Sequence, residues 1–165
     1  MIFNIKKHNT ALYNTLLKLS RNLYFYKDIG LKDTFETRIY LMFLHFSVIL
    51  IVYKYKKVKF PQNLYDSLFQ CIENNLRELG QGDVAVNKKM KDLNKILYDM
   101  VLKLKNDKKD VFELNKSLIV KYFEIFKDDK TSNYQDFSQY FTKFYNFCFE
   151  LPHNSVLKKA INFKH

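Results

Sequence analysis

LRELGQGDVAVNKKMK, residues 76–91, carries a helix ending, a tight turn and a helix beginning. Arg77 and Glu78 stand at the end of an apolar segment of helical spacing. Gly80 has no Cβ to clash and can take the left-handed conformation that ends a helix. Asp83 is placed to accept hydrogen bonds from the first free amides of the helix that follows. Two of the chain's 3 glycines, Gly80 and Gly82, stand in this turn. A sequence this sparing with glycine and proline, which places both glycines between two apolar-periodic segments, predicts helices joined by few turns.

The same periodicity extends outward on both sides. A first helix follows a cap at Asn9 or Thr10, carries Leu12, Leu16, Leu19 and Leu23 on one stripe, and ends around 27–30. Asp33 and Glu36 form a capping-box pattern that starts a second helix. This helix holds the most apolar run, Ile39–Tyr53, followed by a basic segment over 54–59. Fifteen helical residues cover only about 22 Å, short of a hydrocarbon core of roughly 30 Å, so a core helix is favoured over a membrane span. Pro61 suits the first turn of a third helix, striped by Leu64, Leu68, Ile72, Leu76 and Leu79. Met90, Leu93, Leu97, Val101 and Leu104 mark a fourth, broken by the charged stretch 105–110. A fifth carries Leu118 to Phe126 and ends over 127–130. A sixth is capped by Ser132 with Gln135 and rich in aromatics from Phe137 to Tyr145. Pro152 stops it, and residues 156–161 add a short last helix. The expectation is an all-α, single compact domain of about six helices over 1–165.

Cys71 and Cys148, both in apolar segments, read as reduced core residues. No secretory signal or transit peptide is expected from the first residues. The net charge of +11 has two readings, a lysine-rich solvated surface or attraction to ribosomal RNA or anionic lipid. Against so many lysines, Arg21, Arg38 and Arg77 mark places where a planar guanidinium fork is needed.

Catalytic patterns are mostly missing. Gly80-Gln81-Gly82-Asp83-Val84-Ala85 fits the loose glycine pattern of dinucleotide sites, but a helix precedes it where a strand is required. The histidines show no metal spacing. His45, inside the apolar helix, reads as a satisfied core histidine. Arg38, Arg77, Glu78 and Asp83 read first as an internal strut at the turn, second as a carboxylate–guanidinium site.

The chain resembles the ubiquinol–cytochrome c chaperone family. The likeness runs over 11–104, through Ser20-Arg21, Tyr24-Phe25-Tyr26, Gly30-Leu31-Lys32-Asp33-Thr34, Arg38 and Leu44-His45. It is strongest at Leu76-Arg77-Glu78-Leu79-Gly80, Gly82-Asp83 and Lys88-Lys89-Met90-Lys91. Gln81, Thr37 and Asn75 depart from it. The resemblance implies a non-enzymatic, all-helical chaperone without cofactor, metal or DNA. It would bind newly made cytochrome b as client and support assembly of the bc1 complex. It implies work near the ribosome or an anionic membrane surface, beside a second assembly factor. The place would be the bacterial cytoplasm, at the inner membrane's periphery, or a mitochondrial matrix. The motif, structural or partner-binding residues are then Arg21, Arg38, His45, Arg77, Glu78, Gly80, Gly82 and Asp83. Two other classes stay open: an enzyme around Arg38, His45, Arg77 and Asp83, and a basic RNA-binding protein.

Overall fold

A computed structural model describes residues 11–105, 111–128 and 133–165. The described residues form seven α-helices and no strand. The helices are α1 Ala11–Ser20, α2 Phe35–Tyr55, α3 Gln62–Glu78, α4 Asp83–Lys103, α5 Lys116–Tyr122, α6 Tyr134–Glu150 and α7 His153–Lys159. The all-α expectation holds, with one helix more than the six expected. The proposed caps at Asn9 or Thr10 and at Ser132 lie outside the described residues.

α2 is the organising element because it is apolar on every side. Leu41 to Ile49 are buried without interruption, a pattern that only a helix covered all round can satisfy. α1, α4 and α6 supply the cover. On the α3 side, Phe43 stacks on Phe69 at 5.9 Å between ring centres. At 21 residues α2 exceeds the expected run, and at 1.5 Å per residue it reaches about 32 Å. It is therefore long and apolar enough to cross a membrane, and the length argument against a span fails. Burial decides instead, since 67% of its most apolar window is covered by other helices.

Several local expectations give way to side-chain competition. α1 stops at Ser20, short of the expected end, because the Asn22 side chain accepts the Tyr24 amide at 3.1 Å. An amide engaged in this way no longer extends the α-helix. The chain continues as one π-helical turn, Tyr24–Asp28, closed by the Ile29 amide on the Tyr24 carbonyl at 3.0 Å. Leu23, expected on the apolar stripe, falls outside α1 and is 61% exposed. The cap of α2 is not the Asp33/Glu36 box. Thr34 is the N-cap, and its hydroxyl accepts the Thr37 amide at 3.1 Å. The fifth element is shorter than expected. α5 ends at Tyr122 because Phe123 turns extended, and a 3-10 turn Glu124–Lys127 follows.

The turn at Gly80 forms as its residues suggest. Gly80 has φ +87, the Gln81 amide reaches the Leu76 carbonyl at 3.3 Å, and the Gly80 amide reaches that of Arg77 at 2.9 Å. This double closure is a Schellman ending. A Cβ at Gly80 would meet nothing within 4 Å, so Gly80→Ala tests backbone strain alone. The expected cost is about 1 kcal/mol in chemical denaturation, less for Gly80→Asn. Alanine matching the parent would show that the turn relaxes.

Candidate functional site

Two of the accessible motif residues, Arg21 and Arg38, meet at one cleft. It lies where α1 and the start of α2 face the end of α3, and holds about 310 Å³. Leu17, Ile39 and Met42 form apolar wall, while Arg21 and Arg38 line it beside Asp33. Tyr13 and Asn75 complete the opening, with Leu79, which is 60% exposed. Leu79 was expected on the buried stripe of α3. As the C-cap residue it has turned off that face and become rim.

Arg38 is held in a fixed pose. Its Nε donates to Asp33 Oδ1 at 2.7 Å and its Nη2 to Asp33 Oδ2 at 2.9 Å. This two-pronged geometry is what lysine cannot reproduce. The hydrogen bond from Arg38 holds the Asp33 carboxyl below its usual range. The Tyr26 hydroxyl lies beside the same guanidinium and donates to the Ser20 carbonyl at 2.7 Å, so the π turn braces the cleft. Burial, then Asp33, raises Tyr26 above an ordinary phenol. Arg21, on the exposed link after α1, is within electrostatic reach of Asp33 and Tyr13.

The turn residues sit next to this cleft but form their own cluster. Arg77 donates to Asp83 and, from Nη2, to Glu73 at 3.3 Å. Asp83 is the first residue of α4 rather than its cap, which is Gly82. The strut reading therefore describes Arg77 and Asp83, with Glu73 as a third member that the sequence did not announce. The Asp83 side chain is 82% exposed, so the strut is a surface clasp. Glu78 is exposed and is felt electrostatically at Tyr13.

His45 belongs to neither place. It is fully buried between α2 and α6, with Nδ1 2.7 Å from the Leu41 carbonyl and Nε2 2.9 Å from the Tyr140 hydroxyl. Its Nδ1–H donates to the carbonyl, so Nε2 accepts from the tyrosine. Burial holds the imidazole down at about 4. The four residues of the enzyme alternative are thus not assembled, since His45 is sealed away from Arg38, Arg77 and Asp83. Among the described residues no three His, Cys, Asp or Glu side chains are grouped to hold a metal ion. Both cysteines are free. Cys148 is buried and its thiol pushed up to about 12 by burial, while Cys71 is only partly covered.

Asp33 as the partner of Arg38 escaped the sequence reading because a capping pattern offered it another role. Asp99 escaped it as well. Its carboxylate accepts Lys103 and Lys121, each at 2.7 Å, and the Tyr122 hydroxyl, fastening α5 to α4.

The sequence model of the family described as Ubiquinol-cytochrome C chaperone matches residues 27–118, more than half of the chain. No curated protein and no solved structure matches it.

Proposed function

The chain belongs to the ubiquinol–cytochrome C chaperone family, and we propose that it is a non-enzymatic chaperone that holds newly made cytochrome b during assembly of the bc1 complex. The observation that carries this reading is the cleft between α1, α2 and α3. It combines an apolar floor with two guanidinium groups at its mouth, one preset by Asp33 and one on an exposed link. An apolar client segment supplies side chains for the floor, and its polar flank or backbone carbonyls meet the arginines. Such a site binds by shape and charge. The reading places the protein at the inner membrane's periphery, facing the cytoplasm of a bacterium or the matrix of a mitochondrion, beside a second assembly factor.

The test uses the tagged full-length chain recovered from detergent-solubilised native membranes. Cytochrome b is expected in the eluate, depleted at least about tenfold when Arg21→Ala and Arg38→Ala are combined, the equivalent of about 1.4 kcal/mol of binding. Both side chains are partly or largely exposed, so the variant should fold as the parent does. Equal recovery by parent and variant would move the client away from this cleft. Absence of cytochrome b from both would end the client assignment.

A further inference from the structure

We propose that the opposite end of α2 is a docking surface for anionic lipid membranes, with lysines on the lipid phosphates and an apolar cleft receiving the acyl region. This inference does not rest on the client reading. α2, α4 and α6 all finish at this end, because Lys56 crosses to the Leu151 carbonyl at 2.6 Å and Lys105 sits over the Tyr55 ring at 4.9 Å. Between α2 and α4 a cleft of about 420 Å³ opens. Leu50, Ile51, Val101 and Leu102 form its apolar walls, and Lys54, Lys57 and Lys105 its cationic rim. Among the described residues no aspartate or glutamate lines it.

Two further features separate this surface from lysines scattered at random. Leu102 is 75% exposed and Tyr55 50% exposed, so apolar and amphipathic side chains stand in the open beside the charges. Phe149, 44% exposed, stacks on Tyr145 at 5.7 Å next to them. Aromatic rings with one wet edge and lysines with long apolar stems are the groups that settle at a membrane–water boundary.

The backbone supplies the second feature. Lys57 has φ +57, the only positive value outside glycine among the described residues. It ends α2 by the same double closure that Gly80 gives α3, with the Val58 amide on the Tyr53 carbonyl and the Lys57 amide on that of Lys54, both at 3.0 Å. Glycine is at ease there and lysine is strained. A cation therefore stands at the rim where the fold alone would favour glycine. Lys56, by contrast, has a structural task at the Leu151 carbonyl.

Charge complementarity and the apolar walls together select the occupant. An RNA backbone would engage the lysines but leave the exposed Leu102 and the half-buried Leu50 and Val101 with no apolar partner. A phospholipid satisfies both parts. The surface lies on the order of 20 Å along α2 from the arginine cleft, counted from Arg38 to Ile51, so one helix can present a client site at one end and a membrane contact at the other.

The test is flotation of the full chain with vesicles of phosphatidylcholine alone, or with about one third phosphatidylglycerol. The parent should float only with the anionic vesicles and be released at 1 M salt, where the Debye length is about 3 Å. Lys57→Gly should keep or raise thermal stability while partitioning about fivefold less, the loss expected for one surface lysine. Leu102→Gln, a substitution at an exposed helix position, should also weaken flotation. Parental flotation of both variants would overturn the proposal. So would unchanged flotation of Lys57→Gly alongside weaker binding to polyuridine RNA, which would make the surface an RNA contact. Capture of cytochrome b in detergent should be the same for Lys57→Gly and the parent, so failure here leaves the client reading standing.

Discussion

His45→Ala is expected to lower unfolding free energy by about 3–5 kcal/mol, among the largest single-site effects in this chain. The imidazole is enclosed by Phe25, Phe141 and Phe144, with ring centres at 5.8, 4.9 and 4.9 Å. Removing it leaves a void in the α2–α6 seam. It also strips the Tyr140 hydroxyl, itself buried, of its acceptor. Adding Tyr140→Phe removes that orphan, so the double variant should lose less than the sum of the two single losses. Acid should reveal the same residue. The imidazole is neutral in the fold down to about pH 4, whereas the unfolded chain takes up a proton near its ordinary 6.5. Between these values the unfolded state binds more protons, so stability is complete above pH 6.5 and falls as pH drops toward 4. A shift of this size corresponds to about 3 kcal/mol. Urea denaturation at several pH values should show a steeper acid loss in the parent than in His45→Ala. Identical slopes, or a cost below about 1 kcal/mol at neutral pH, would show that the seam is looser than its geometry.

What the sequence displayed were features carried by neighbours along the chain. The stop at Gly80 needs only a residue without Cβ after an apolar stripe, and α2 needs only an unbroken apolar run. Hidden were the pairings that folding brings together. Tyr140 stands 95 positions from His45, and nothing in helical spacing links them. The sequence also gave Asp33 a local use as a cap, while Thr34 took that task and left Asp33 for Arg38. Leu23 and Leu79 show a related limit. Periodicity counts a leucine as core until the helix ends, and each lies past an ending, at Ser20 or Glu78, that another residue sets, Asn22 or Gly80. The cleft was legible as the residues Arg21 and Arg38 but not as a place. The left-handed Lys57 had no signal at all, since the residue usual in that conformation is glycine.

A chain cut after Asp128, which keeps the family-matched residues 27–118 whole, is expected to lose cooperative folding altogether. The cut removes α6 and α7, and α6 is one of the helices that cover α2. Phe137, Tyr140, Phe141 and Phe144 on α6 are almost completely buried. Aromatic side chains bury about 150–250 Å² each, so at about 25 cal/mol per Å² these four represent on the order of 20 kcal/mol of gross apolar burial. That figure is an upper bound, yet it exceeds the 5–15 kcal/mol by which folded domains typically outweigh their unfolded chains. The shortened chain also bares one flank of a helix that is long and apolar enough to enter a bilayer. It should therefore aggregate or remain in membranes after carbonate washing, while the full chain is released. Calorimetry should show one transition for the full chain and none for the fragment. A fragment that melts cooperatively and stays in solution would show that the family-matched region closes its own core. Loss of the transition would instead show that α6, outside the match, is part of the same cooperative unit as α2. The arginine cleft would then depend on aromatic packing at a distance, since α2 positions Arg38 only while α6 keeps α2 buried.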